Sequence, residues 1–239
     1  MTIPKIIWQS WKTKEVHPVV SAQINKIRRL NPDYKYHLFL DEDLDRFVHT
    51  EFYDWPDVIM CYNKLNIIAA RVDFWRYLVL YKYGGVYLDI DSSIEQPLDL
   101  LIRDNDNAII SQEGNPGKLL QWALIFSPNH PILKYTIDIV IDNIKYNRFH
   151  NDIMNMTGPV AFTRGVNKYH EELYGDILIS HNHIPDKSID IVYGDSDSSY
   201  RIFGIDYNGF FTFKYKDHRF LYFNVPNWRD EIKTKNLLR

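Results

Sequence analysis

Two carboxylates stand one residue apart, at Asp89 and Asp91, where the apolar run Gly85-Val86-Tyr87-Leu88 ends. On an extended chain, side chains at i and i+2 point to the same side, so the spacing predicts that both carboxylates converge where a short strand runs out. Two such groups repel unless a cation lies beside them. Hard divalent ions such as Mg²⁺ and Mn²⁺ prefer oxygen ligands and commonly bridge a carboxylate to the phosphates of a nucleotide. The chemistry expected of Asp89 and Asp91 is therefore a metal–diphosphate site. A second charged pair, Asp73 and Arg76, is three residues apart in a helical pattern and so shares one face. An exposed pair of this kind would contribute little. This one lies between Val72 and Trp75, on or beside the apolar stripe of Leu65, Ile68, Ala69, Val72, Trp75 and Val79, which predicts a buried, engaged pair.

Several elements must position these residues. Residues 5–8 read as a buried first strand and 9–14 as a loop. Residues 19–30 have helical spacing that stops at Asn31-Pro32, and 34–40 form a second strand. Such a strand–helix–strand unit commonly receives a nucleotide at the carboxyl ends of its strands. Residues 41–49 read as a short helix and 62–83 as one long helix ended by Gly84-Gly85, since glycine accepts the left-handed geometry of a helix end. Residues 85–88 then form the strand that leads to the acidic pair, with Tyr87 on the side of Asp89. Further strands are expected at 108–112 and 121–126 and a helix over 132–146 after Pro131, which makes His130 architectural. Thr157 reads as the N-cap, and Pro159 as the first turn, of a helix over 160–173.

The quoted stretches resemble a known family. Ile3-Pro4-Lys5-Ile6-Ile7-Trp8-Gln9-Ser10-Trp11, then Asp73 through Tyr77, Leu80-Tyr81 and Gly84 through Asp91, follow the pattern of the DXD-containing glycosyltransferases. That family includes the yeast initiating α-1,6-mannosyltransferase and bacterial capsular and lipooligosaccharide sugar transferases. Val72 departs from the pattern, which has a small residue before the Asp. The resemblance is strong over the first half of the chain and fragmentary beyond it. It implies an α/β chain of GT-A (Rossmann-like) type, with a mixed central sheet and helices on both faces, organised as one domain over residues 1–239. The N-terminal half would bind nucleotide and metal, and the C-terminal half would serve the acceptor and close over the site.

The resemblance also implies roles. Trp11 would stack on the nucleobase while Trp8 packs. Asp73 would bind hydroxyls of the donor sugar, and Arg76 the sugar or diphosphate. Tyr87 would lie by the ribose or phosphates, with a structural tyrosine as the alternative. Asp89 and Asp91 would hold Mn²⁺ or Mg²⁺, with His218 as third ligand or diphosphate contact and Trp228 as a lid. Asn227 stands where the family has Ser. The implied activity is metal-dependent, retaining transfer from a UDP- or GDP-sugar to a glycan or other hydroxyl acceptor, with Asp73, Arg76 and Asp91 at its centre.

Composition bounds these readings. A hydrophobic content of 45% and an aromatic content of 15% fit a folded chain with a deep pocket, not a disordered one. The formal net charge is −3 and no Lys/Arg run stands out, so nucleic acid is not expected as a partner. Cys61 is the only cysteine, which excludes an intrachain disulfide. No stretch reaches the roughly 18–20 apolar residues of a membrane span, and the N-terminus lacks a signal-peptide pattern; a soluble, cytoplasmic protein is expected. Two rival readings remain. Leu88-Asp89-Ile90-Asp91-Ser92-Ser93, with Gly194-Asp195-Ser196-Asp197, also resembles the acidic motifs of haloacid-dehalogenase-type phosphatases. A sugar-binding protein without catalysis is the third reading.

Overall fold

The computed structural model describes residues 2–213 and 228–239. The chain begins with β1 (Ile6–Trp11), α1 (Pro18–Leu30) and β2 (Lys35–Leu40). Pro18 opens α1, where a missing N–H costs nothing, and Val20, Ile24 and Ile27 bury one face of it. β1 and β2 pair in parallel from Ile6 opposite Lys35 to Trp11 opposite Leu40. Residues 9–11, expected in a loop, are therefore strand. This pairing carries β1 three residues further and puts Trp11 at its tip. Trp8 sits mid-strand, buried, with its indole N–H donating to Gly84 O at 2.8 Å, which is the packing role expected of it.

After α2 (Asp41–Glu51), the single long helix expected over 62–83 proves to be two, α3 (Pro56–Lys64) and α4 (Ile68–Tyr83). The apolar stripe runs across the break, with Leu65 fully buried before it and Ile68 half-buried after it, although the backbone leaves the helix between them; periodicity records burial, not backbone hydrogen bonding. The end of the chain occupies the break: Asn66 N–H donates to Leu237 O at 2.8 Å, and Leu65 bridges to Leu238. α4 ends at Gly84 (φ 64°), followed by Gly85 (φ 100°). A Cβ on Gly84 would lie 2.8 Å from Phe126 O, and one on Gly85 2.6 Å from Ile6 O. Only glycine lets the chain leave the helix and enter β3 (Gly85–Leu88) at so close an approach.

β3 pairs in parallel with β1 and antiparallel with β6 (Ala123–Phe126). β5 (Ala108–Gln112) lies antiparallel to β6 and parallel to β8 (Tyr200–Ile205), and β7 (Asp190–Tyr193) runs antiparallel along β8. Among the described residues the order is β2-β1-β3-β6-β5-β8-β7, a mixed seven-stranded sheet. One face is covered by α2, α3, α4, α5 (Pro131–Lys145) and α7 (Pro159–Tyr174), around Trp75, Phe126 and Phe162. The other is covered by α1 and the 3₁₀ turn Leu98–Leu100, around Ile27, Val86 and Leu98. The expected architecture, a mixed central sheet with helices on both faces, is the one the chain adopts. The chain also forms a ribbon of β4 (Ser92–Ile94) and β9 (Phe211–Phe213), the short α6 (Ile153–Met156) and α8 (Trp228–Thr234). Among the described residues no helix is long and apolar enough to cross a membrane.

Candidate active site

β3 ends at Leu88 and the chain turns at once. Ser92 N–H donates to Asp89 O at 3.0 Å, and the Ser92 hydroxyl donates to the same oxygen. Asp89-Ile90-Asp91-Ser92 is therefore a tight turn into β4. Strand alternation, the reason first given for convergence of Asp89 and Asp91, does not apply to them: the turn brings both to the wall of one cavity of about 270 Å³. Tyr87, still on the strand, does follow alternation, and its hydroxyl donates to Asp89 Oδ1 at 2.6 Å. Burial pushes the Tyr87 phenol well above its ordinary value, so it stays a donor.

α4 supplies the second charged pair. Arg76 Nη2 lies 2.9 Å from Asp73 Oδ1 and 3.3 Å from Asp89 Oδ1, so one guanidinium joins the helix carboxylate to the acidic turn. Its Cζ lies 4.6 Å from the centre of the Tyr87 ring, and Nη1 donates to Gln121 O at 3.1 Å. Burial would lower the Arg76 guanidinium, but Asp89, then Tyr87 and Asp73, hold it above its ordinary value. Burial pushes the Asp73 carboxyl up to about 6, against the downward pull of Arg76. Both side chains are buried, as expected, and both line the cavity.

Three further residues, Gln121, Tyr77 and Thr157, surround the Asp73 carboxylate, a role the sequence did not show, and of these Gln121 lines the cavity. Gln121 Nε2 donates to Asp73 Oδ1 at 3.2 Å and to the Tyr77 hydroxyl at 2.7 Å. Thr157 Oγ1 donates to Asp73 Oδ2 at 3.2 Å. The N-cap of α7 is Gly158, not Thr157 as expected, because the Thr157 side chain turns inward to the buried carboxylate. Gln121 left one trace in the sequence: it is a lone polar residue within the apolar run from Leu119 to Phe126.

The cavity is also lined by Ser10, Trp11 and Lys12 at the tip of β1, Asp41 at the start of α2, and Trp228 and Glu231 from α8. Trp11 and Trp228 thus both face the same space as the acidic turn. Glu231 Oε2 is buried without a hydrogen-bond partner among the described residues. His218 lies outside the described residues. His130 is architectural, as expected: Nδ1 accepts from Ile132 N–H at 3.3 Å and Nε2 lies 3.2 Å from Ser199 O.

Asp89 and Asp91 suit a hard divalent cation by the chemistry of their donors. The contacts of Tyr87 and Arg76 both reach Asp89 Oδ1, and Oδ2 takes part in neither. Among the described residues no group of three His, Cys, Asp or Glu side chains could hold a metal. Asp89 and Asp91 would supply two carboxylates of the shell of such an ion, and on a nucleotide Mg²⁺ commonly keeps waters and substrate phosphate oxygens as further ligands. The phosphatase reading fits poorly. Asp89 Oδ1 is already engaged by a phenol and a guanidinium, and Asp195 and Asp197 lie at the junction of β7 and β8, at the far edge of the sheet and outside the cavity.

Comparison with known proteins agrees with this geometry. Residues 18–113 match the family described as "Glycosyltransferase sugar-binding region containing DXD motif". The chain is 34% identical over 160 residues to inositol phosphoceramide mannosyltransferase 3 of Schizosaccharomyces pombe, an overlap of 66% of this chain and 43% of that protein. It is 28% identical over 203 residues to the initiation-specific alpha-1,6-mannosyltransferase of Candida albicans, covering 70% of this chain and 53% of the other. It spans about half the length of the curated relatives it matches. Among solved structures, the PaToxG glycosyltransferase is similar with a TM-score of 0.57 at 20% identity, over 73% of this chain and 72% of that one.

Proposed function

Because this chain belongs to the family of glycosyltransferases whose sugar-binding region contains a DXD motif, we propose that it moves a sugar from a nucleotide-sugar donor to a hydroxyl of a glycan or glycoconjugate acceptor. The names of the relatives support a hexose such as mannose as the sugar, carried on UDP or GDP. The observation that carries the reading is the single cavity into which the Asp89–Asp91 turn, the Asp73–Arg76 pair and the Trp11 ring all open.

The donor lies along this cavity with its base against Trp11, its diphosphate at the acidic turn and its sugar at Asp73. Stacking on an aromatic ring contributes about 1–3 kcal/mol per base. Asp89 and Asp91 hold Mn²⁺ or Mg²⁺, which supplies Lewis-acid stabilisation of the charge that grows on the departing diphosphate. Arg76, a cation at every working pH, adds a fixed positive charge beside the same oxygens and costs no reorganisation when the bond breaks. Asp73 orients the sugar through a hydroxyl. Its two oxygens are already engaged by Arg76, Gln121 and Thr157, which favours an orienting carboxylate over a nucleophilic one. Transfer then proceeds with retention by a front-face route: the acceptor oxygen bonds to the anomeric carbon on the side the diphosphate leaves, and a phosphate oxygen takes the hydroxyl proton. Trp228 and Glu231 of α8 exclude water from this space.

The test is a panel of UDP- and GDP-sugars with Mn²⁺, scored for donor hydrolysis, transfer to simple glycosides and thermal stabilisation. One donor is expected to turn over and to raise the melting temperature only with metal present. Asp91→Asn is expected to remove the metal-dependent shift and to lower turnover at least about 100-fold, the scale of losing a preorganised electrostatic contact. Normal turnover in that variant rejects the site, and binding of a donor with no turnover toward any acceptor or water supports the non-catalytic sugar-binding reading.

A further inference from the structure

The Asp73 carboxylate is held inside a closed ring of hydrogen bonds that spans three separate stretches of chain. Gln121, just ahead of β6, donates from Nε2 to Asp73 Oδ1 and to the Tyr77 hydroxyl. Tyr77, one turn along α4, donates in turn to the backbone oxygen of Thr157 at 2.9 Å. Thr157, between α6 and α7, returns its own hydroxyl to Asp73 Oδ2. The protons balance around the ring: both amide protons of Gln121 are used, the Tyr77 oxygen accepts one bond and donates one, and Thr157 donates one. The amide must face this way, since its oxygen against the carboxylate would set two acceptors together. The Thr157 hydroxyl also lies 3.5 Å from Ile153 O; the shorter distance and the charged acceptor favour Asp73.

An ionised carboxylate offers about four acceptor positions. Arg76, Gln121 and Thr157 take three, and Asp73 lines the cavity, so one remains for a ligand. Three fixed donors around one carboxylate leave it a single orientation. We propose that Thr157 and Gln121 are positioning residues, which with Tyr77 lock the Asp73 carboxylate so that its one remaining acceptor position meets one hydroxyl of the transferred sugar. The inference rests on the donor reading given above. Thr157 is fully buried and is not part of the cavity wall, so it acts on the sugar only through Asp73. It is the cleaner probe, since Gln121 itself borders the cavity.

The experiment compares Thr157→Val, which keeps the shape and removes the hydroxyl, with Thr157→Ser, which keeps the hydroxyl. For each, kcat, donor KM and the Kd of the matching nucleoside diphosphate with Mn²⁺ are measured. Thr157→Val is expected to lose about 20-fold in kcat, as small misplacements of an orienting group do. Diphosphate Kd should stay within roughly twofold, because the diphosphate does not meet Asp73, and Thr157→Ser should recover to within roughly threefold of the parent kcat. Tyr77→Phe loosens the far side of the ring without touching Asp73, and carries the same split with a loss of about fivefold should Thr157→Val not fold. Parent-like kcat in these variants overturns the inference and leaves the donor reading intact. Equal loss of kcat and diphosphate binding, unrescued by serine, also overturns it, since that marks a purely structural role. A parent chain that neither binds nor turns over any sugar nucleotide refutes the donor reading, and this inference with it.

Discussion

At the scale of single residues, the proposed chemistry depends on Asp73 keeping its charge. It sits away from water, and burial raises its carboxyl to about 6 despite the adjacent Arg76. In the proposed reaction an ionised Asp73 accepts from a sugar hydroxyl and balances the guanidinium; a protonated one carries its proton on the acceptor position left for that hydroxyl and no longer balances the charge. Turnover is therefore expected to fall as pH drops through about 6, and kcat/KM measured from pH 5 to 8 checks this. Asp73→Asn, which loses the charge and turns an amide N–H toward a cation or toward other donors, is expected to lower turnover at least about tenfold and to flatten that acid limb. An unchanged acid limb in Asp73→Asn would assign it to another group.

At the scale of elements, α5 shows how a buried histidine can be purely structural. His130 caps the helix with Nδ1 accepting from Ile132 N–H, so the ring is neutral with its proton on Nε2, toward Ser199 O. Burial pushes the imidazole from 6.5 down to about 4. The native state therefore binds fewer protons than the unfolded chain between these values. Stability is full above pH 6.5 and is lost as pH falls from 6.5 toward 4, by roughly 2–3 kcal/mol from this group at pH 4.5. Urea unfolding at pH 7 and pH 4.5 reads this directly. His130→Asn, which keeps a good N-cap residue, should shrink the difference between the two pH values. The α3–α4 break is a second lesson at this scale. Leu65 and Ile68 stay on the apolar pattern while the backbone between them leaves the helix, since the C-terminal tail supplies hydrogen bonds that the helix gives up there.

At the scale of the whole molecule, the fold is of the GT-A type, and its last residues tie the site together. Leu237 is buried; its N–H donates to Asn151 Oδ1 and its carbonyl accepts from Asn66 N–H, both at 2.8 Å. Arg239 N–H donates to Lys64 O. This tail follows α8 directly, and α8 places Trp228 and Glu231 on the cavity. Leu237→Ala is therefore expected to cost about 2–4 kcal/mol of stability and to raise donor KM severalfold, with kcat at saturating donor less affected. Urea titration and steady-state kinetics on the same preparation separate the two effects. A loss of stability with an unchanged KM would show that α8 keeps its place without the tail.

The sequence by itself determined the first strand–helix–strand unit, the glycine exit from α4, the acidic pair and the buried character of Asp73 and Arg76. All of these depend on local spacing: a period of two or of 3.6, a residue that tolerates positive φ, a charge inside an apolar stripe. Tertiary structure alone decided what those charges touch. Nothing near Asp73 in the chain announces Gln121 or Thr157, which lie 48 and 84 residues away and reach it because β6 and the α6–α7 junction pack against α4. The same holds for the turn that brings Asp89 and Asp91 together, where hydrogen bonds from Ser92 override strand alternation, and for Trp11, which owes its place at the strand tip to pairing with β2. A hydrogen-bond partner is chosen by distance in space, and periodicity along a chain carries no record of it.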